Sequence, residues 1–100
     1  LYDQENEEIW LDKAEVVRDY ENLENAIIVL YEGLEKQPKN NLIYARLVAY
    51  LLMNGNEQEA LLNLTILLTN NKKLIAEIIE FYPETLSHQT VIDLIENFKD

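Results

Sequence analysis

An internal repeat constrains this fold more than any other feature of the sequence. The stretch 21–40 aligns with 55–73 in residue pairs that share an offset of 34: Ala26 with Ala60, Leu30 with Leu64, and Leu34 with Leu68. The same offset relates Trp10 to Tyr44 and Asn22 to Asn56. A chain of 100 residues has room for one domain. The repeat therefore predicts a small array of stacked, similar units rather than a single irregular core.

Apolar residues within the repeat recur at helical spacing. The clearest stripe runs through the second predicted helix and follows an i, i+3, i+4 pattern: Leu23, Ala26, Ile27, Leu30, Tyr31 and Leu34. No segment alternates apolar with polar residues over its length, and Gly and Pro number only two each. The sequence therefore predicts an all-α protein.

Capping and stop signals divide the chain into predicted helices. We expect helices over 7–20, 22–36, 41–53, 56–69 and 72–81, and a last one from Ser87 or Thr90 onward. Their predicted starts are Asn22, Asn40 or Asn41, and a capping box of Asn56 with Glu59. Their predicted stops are Pro38, Gly55 and Pro83.

In its period and key residues the chain resembles the tetratricopeptide repeat (TPR) family. The shared positions are Trp10, Ala14, Ala26 and Pro38 in residues 7–40, and Tyr44, Leu47, Gly55 and Ala60 in residues 41–74. The pattern departs from the family at Lys13, Glu21 and Lys72. The chain also resembles the C-terminal repeats of longer bacterial TPR proteins.

This resemblance implies antiparallel helix hairpins stacked as a short right-handed α-solenoid of about six helices. It divides the single domain 1–100 into a six-residue leader, repeat 1 (7–40), repeat 2 (41–74) and a C-terminal capping helix pair (75–100). It also implies that the chain is the end of a longer array. An acidic outside on the cap would keep such an end from aggregating.

Composition excludes several functions. With 19 acidic against 8 basic side chains the net charge is −11, which disfavours nucleic acid. Cysteine is absent, and no apolar run or opening segment suggests a membrane span or a secretory signal. We therefore expect a cytoplasmic protein that binds neither nucleic acid nor membranes.

No motif indicates catalysis. His88 follows Ser87, but adjacent side chains point apart, and we expect no acid to orient them. The sequence contains no P-loop, dinucleotide or calcium-loop pattern. We expect a protein that is not an enzyme and has no cofactor or metal. An enzyme accessory domain is the alternative, which a pocket with a strongly shifted carboxylate would favour.

The TPR resemblance also implies a concave face where a protein partner binds. The corresponding residues in the first helix of repeat 1 are Glu8, Leu11, Glu15, Arg18 and Asp19. In repeat 2 they are Leu42, Ala45, Arg46, Ala49, Leu52 and Met53. Such a partner would be basic near repeat 1 and apolar near repeat 2, so a peptide ending in acidic residues should bind poorly.

The expected function is therefore protein–protein interaction or scaffolding. Two alternatives stay open for the apolar part of the face: an open groove, or burial under the C-terminal cap. If it is buried, the chain is a structural cap of a longer solenoid, with binding by upstream repeats, or it self-associates.

Overall fold

Helices joined by short polar connections account for almost all of the described chain. The computed structural model describes residues 8–98, so the predicted leader lies outside the described residues. The helices are α1 (Ile9–Tyr20), α2 (Leu23–Lys36), α3 (Asn41–Met53), α4 (Glu57–Asn71), α5 (Ile75–Phe81) and α6 (Gln89–Asn97). Turns of 3₁₀ helix at Lys72–Leu74 and Pro83–Ser87 precede and follow α5. Residues 8–98 contain no strand, which confirms the all-α prediction.

Two asparagines begin helices as the sequence predicts. The side chain of Asn22 accepts a hydrogen bond of 2.7 Å from the backbone N–H of Asn25 at the start of α2. Asn40 accepts from the backbone N–H groups of Leu42 and Ile43 at the start of α3. Each bond satisfies a donor that has no partner inside its helix.

Gly55 ends α3 in the predicted left-handed conformation, with a φ of 82°. The backbone N–H of Gly55 donates to the carbonyl of Leu52, and that of Asn56 donates to the carbonyl of Leu51. This pair of bonds is a Schellman motif, and it turns the chain sharply into α4.

The predicted start of α4 is right in its position, and that of α6 is wrong. Asn56 is the residue before α4, but its side chain accepts a 2.7 Å hydrogen bond from the side chain of Asn54 instead of one from the helix. At α6 the residue before the helix is His88, while the Ser87 hydroxyl donates back to the carbonyl of Glu84. Asn56 and Ser87 thus each bond to a neighbouring residue and cap no helix N–H.

Helix α3 lies at the centre of the fold. It packs against α4, α2, α5 and α1, and it carries fully buried side chains along its length, including Ile43, Leu47 and Tyr50. Trp10 and Tyr44, the aromatic residues that the 34-residue offset relates, are half-buried against this core. Because α3 is central, α1 and α5 can both pack beside it, and the three helices together form a cleft.

Candidate functional site

A cleft lies between α1, α3 and α5. Its volume is about 340 Å³, and its lining comes from all three helices: Leu11; Leu42, Ala45 and Arg46; and Glu77, Ile78, Glu80 and Phe81. The apolar members form a surface that suits a partner's apolar side chain. The three charged members add polar groups beside it, as is usual in binding sites.

Both arginines of the chain converge on one aromatic pair beside this cleft. The ring centroids of Tyr50 and Phe81 are 5.9 Å apart. The Arg46 guanidinium lies 4.0 Å from the Phe81 centroid, and the Arg18 guanidinium lies 5.4 Å from the Tyr50 centroid. Cation–π contacts of this kind hold both guanidinium groups in fixed positions. The aromatic pair thus ties α1, α3 and α5 together.

The charged groups of the cleft form no ion pair within residues 8–98. Among residues 8–98, no carboxylate forms an ion pair with Arg46, and no cation pairs with Glu77 or Glu80. The Arg46 guanidinium is therefore available to pair with an acceptor group of a partner. The carboxylates of Glu77 and Glu80 are available to pair with a cation of a partner. Charges that are unpaired in the free protein confer specificity when a complementary partner docks.

The residues predicted on repeat 1 are spread around α1. Leu11 lines the cleft, and Arg18 covers Tyr50. Asp19 forms an ion pair with Arg18 at 3.5 Å, and Glu15 is exposed. Glu8 precedes α1 and is exposed. The structure thus brings two of the five, Leu11 and Arg18, to the cleft or its aromatic edge.

The residues predicted on repeat 2 differ in their exposure. Leu42, Ala45 and Arg46 line the cleft, where Leu42 and Arg46 are half-buried and Ala45 is buried. Ala49 and Leu52, further along α3, are buried as well. Met53, at the end of α3, is 39% exposed. Half of the predicted repeat 2 positions are therefore core residues, and Leu42, Arg46 and Met53 keep exposed surface.

Sequence reasoning missed the α5 side of the cleft. Glu77 and Glu80 are exposed and line the cleft together with Ile78 and Phe81, although none of the four was among the predicted partner-binding residues. The sequence did contain a signal for this side of the cleft. Glu77 and Glu80 are three residues apart, as are Ile78 and Phe81, so an acidic pair and an apolar pair lie side by side on one short helix.

A second polar cluster joins the beginnings of α4 and α6. Glu57 lies 3.1 Å from Nδ1 of His88 through one carboxylate oxygen and accepts a 2.7 Å hydrogen bond from Thr90 through the other. These bonds, first from Thr90 and then from His88, hold the pKa of Glu57 below its usual value. The expectation that no acid would approach His88 is therefore wrong.

A third cluster joins α2 to α4. The Tyr31 hydroxyl donates to Glu59 and accepts from the Asn63 side chain at 3.0 Å. Burial, together with the neighbouring Glu59 carboxylate, raises the pKa of Tyr31 to about 12. This contact fixes how the two outer helices lie against each other.

The Tyr50 hydroxyl gives a direct test of the packing behind the cleft. It is fully buried and has no hydrogen-bond partner among the described residues. An unsatisfied buried hydroxyl is costly, so Tyr50→Phe should raise the free energy of unfolding by about 1 kcal/mol. Urea denaturation followed by circular dichroism measures this change. A loss of stability in Tyr50→Phe would contradict the packing described here, whereas Tyr20→Phe, at an exposed tyrosine, should change nothing.

Comparisons of the chain with protein-family models, curated proteins and solved structures return no match. Within residues 8–98, no helix has the combined length and apolar character needed to cross a membrane. The function therefore has to be argued from the cleft itself.

Proposed function

We propose that this chain is a non-enzymatic protein-interaction module of the TPR type, in which about six helices stack as a short right-handed solenoid. It binds a segment of a partner protein in the cleft between α1, α3 and α5. The observation that carries this proposal is the combination of an apolar lining with Arg46, Glu77 and Glu80, none of them ion-paired within residues 8–98. The 34-residue repeat and the confirmed helix signals at Asn22, Asn40 and Gly55 support the TPR assignment.

The charges of the cleft define the partner's chemistry. An apolar side chain fills the space over Leu42 and Ala45, and a neighbouring lysine or arginine pairs with Glu77 and Glu80. The net charge of −11 steers a basic segment toward the protein and repels an acidic one. The partner is therefore a short segment in which apolar and basic residues alternate or adjoin.

Burial of Ala49 and Leu52 supports a second candidate function. In this alternative, α5 and α6 serve as a structural cap that closes the end of a longer solenoid, and upstream repeats bind the partner. The two candidates differ in one respect that can be measured, because only the first requires the cleft to hold a peptide.

Selection of short displayed peptides on the purified chain, followed by titration calorimetry of the enriched ones, tests the proposal. We expect enrichment of peptides that carry an apolar residue beside lysine or arginine. The double variant Glu77→Lys, Glu80→Lys should weaken their binding roughly tenfold, since it reverses two charges that face the ligand.

The matched control is Glu32→Lys together with Glu35→Lys, which makes the same charge change on the exposed side of α2. Equal weakening by both double variants would show a general charge effect and contradict docking in the cleft. Failure to enrich any peptide would favour the structural cap. A peptide ending in acidic residues is the negative control, and micromolar binding of it would overturn the charge argument.

A further inference from the structure

The outward face of α1 carries a stripe of three apolar side chains and one lysine, of which Val16 and Tyr20 are exposed and Ile9 is half-buried. Ile9, Lys13, Val16 and Tyr20 follow an i, i+4, i+7, i+11 spacing and therefore share one side of the helix. Val16 is 55% exposed and Tyr20 is 86% exposed. This side is away from Ala14, the buried residue of α1. Large exposed apolar side chains in a row indicate an interaction surface.

The internal repeat allows the stripe on α1 to be compared with the equivalent positions on α3. An offset of 34 residues relates the first three stripe positions to Ile43, Leu47 and Tyr50 on α3, and all three are fully buried. The α1–α2 hairpin lies next to that stripe, because Gly33 of α2 approaches Ile43 and Arg18 of α1 lies over Tyr50. The first three positions of this register are therefore covered in the second unit, whereas Val16 is exposed in the first; the fourth position, Tyr20 or Asn54, is exposed in both units.

The charges beside the α1 stripe indicate which helix fits it. Asp12, Glu15 and Asp19 form an acidic row next to the apolar one at i, i+3, i+7 spacing. Asp19 forms an ion pair with Arg18 at 3.5 Å, and the Nζ of Lys13 lies 5.1 Å from the Trp10 ring centroid. At the equivalent α3 positions the chain has Arg46, Ala49 and Met53, so the acidic row belongs to α1 alone.

We propose that this face of α1 is a second docking surface, distinct from the cleft, and that it binds an amphipathic helix whose apolar side chains adjoin lysines or arginines. The apolar side chains of the docked helix cover Val16 and Tyr20. Its basic side chains lie along the acidic row of α1. A second copy of this chain fits less well, because its own α1 face would bring a second acidic row against the first.

A synthetic helical peptide of leucine and lysine, with the leucines on one face, is the probe for this surface. The matched peptide has the same composition in scrambled order and cannot form the apolar face. Titration calorimetry should show micromolar binding of the amphipathic peptide and at least about tenfold weaker binding of the scrambled one, because only the former buries its leucines.

Two double variants distinguish this face from other exposed apolar positions. Val16→Ser with Tyr20→Ser should weaken binding of the amphipathic peptide at least about tenfold, through loss of the buried apolar area. Leu62→Ser with Ile66→Ser removes comparable exposed side chains from α4 and should leave the affinity unchanged. All four positions are exposed, so both variants should retain the wild-type fold, which circular dichroism checks.

Three other outcomes of these experiments would each overturn the proposal. Equal binding of the two peptides would show that only net charge is sensed. Weakening by Glu77→Lys with Glu80→Lys, but not by the α1 variant, would place the peptide in the cleft. A wild-type dimer in sedimentation equilibrium that becomes monomeric in the α1 variant would make a second copy the occupant. Failure of the cleft experiment leaves this test intact, because the two surfaces share no residue.

Discussion

Replacing Gly33 by alanine should lower the free energy of unfolding by about 2 kcal/mol, although alanine is the better helix former. A Cβ at this position would lie 2.8 Å from Cγ of Trp10 and 3.0 Å from Cδ1 of Ile43. Rotation of the indole cannot relieve the overlap, because the Cβ of Trp10 is also only 3.0 Å away. Helix α1 would have to move away from α2.

Thermal and urea denaturation followed by circular dichroism measure this effect, and a loss of this size corresponds to a fall of roughly 10 °C in Tm. Glu32→Ala, at the exposed neighbour in the same helix, is the control and should change the stability very little. Adding Trp10→Ala to Gly33→Ala should cost less than the two single losses combined, because the closest contact, with Cγ of Trp10, is then removed.

The close approach of Trp10 on α1 to Gly33 on α2 also affects the shape of the cleft. Leu11, next to Trp10 in α1, lines the cleft, so the distance between α1 and α2 helps to set its width. Wild-type stability in Gly33→Ala would mean that α1 is not held at this distance, and the cleft would lose its fixed shape. The prediction therefore tests the site as well as the packing.

Local signals explain the parts of the fold that the sequence predicts correctly. Asn22 and Asn40 begin helices because each side chain reaches a backbone N–H only two or three residues away. Helix α2 ends at Lys36, just before Gln37 and Pro38, as the loss of an N–H and of α-helical space at proline dictates. Such interactions depend on a few neighbouring residues, so the sequence alone contains them.

Competing side-chain hydrogen bonds, one set between distant residues and one between close neighbours, explain the errors. Glu57 approaches His88 and Thr90 from another helix, more than thirty residues away in the chain. This partner takes the Thr90 hydroxyl that was expected to cap α6. At α4, the neighbour Asn54 takes the oxygen of Asn56. Helical periodicity predicts neither of these two hydrogen bonds, which replace the expected caps.

In the candidate site, too, some features could be predicted from the sequence and others depend on tertiary packing. The TPR resemblance predicted Leu42, Ala45 and Arg46 on one partner-binding face of α3, and the structure brings all three to the lining of the cleft. The sequence could not show how deeply Ala45 and Ala49 are buried, because this depends on how other helices pack against α3. The orientation of a short helix after a 3₁₀ turn depends on tertiary packing, which no repeat position specifies for residues 75–98.

Ile78→Ala is expected to lower the free energy of unfolding by about 3 kcal/mol, the largest effect among the changes proposed here. Ile78 is the buried residue of α5 and is only 1% exposed. Its truncation leaves a cavity between α5 and the core that the short helix cannot fill without moving. Urea denaturation measures the loss.

Ile79→Ala is the matched control, because it makes the same chemical change one residue further along α5. Ile79 is only partly buried, so its truncation should cost about 1 kcal/mol or less. A large difference between the two variants means that α5 is part of the core and that a partner in the cleft meets α3 mainly at Leu42 and Arg46. If both changes cost equally little, α5 is held weakly. Ala49 and Leu52 would then become accessible at small cost, and the binding groove would extend along the whole of α3.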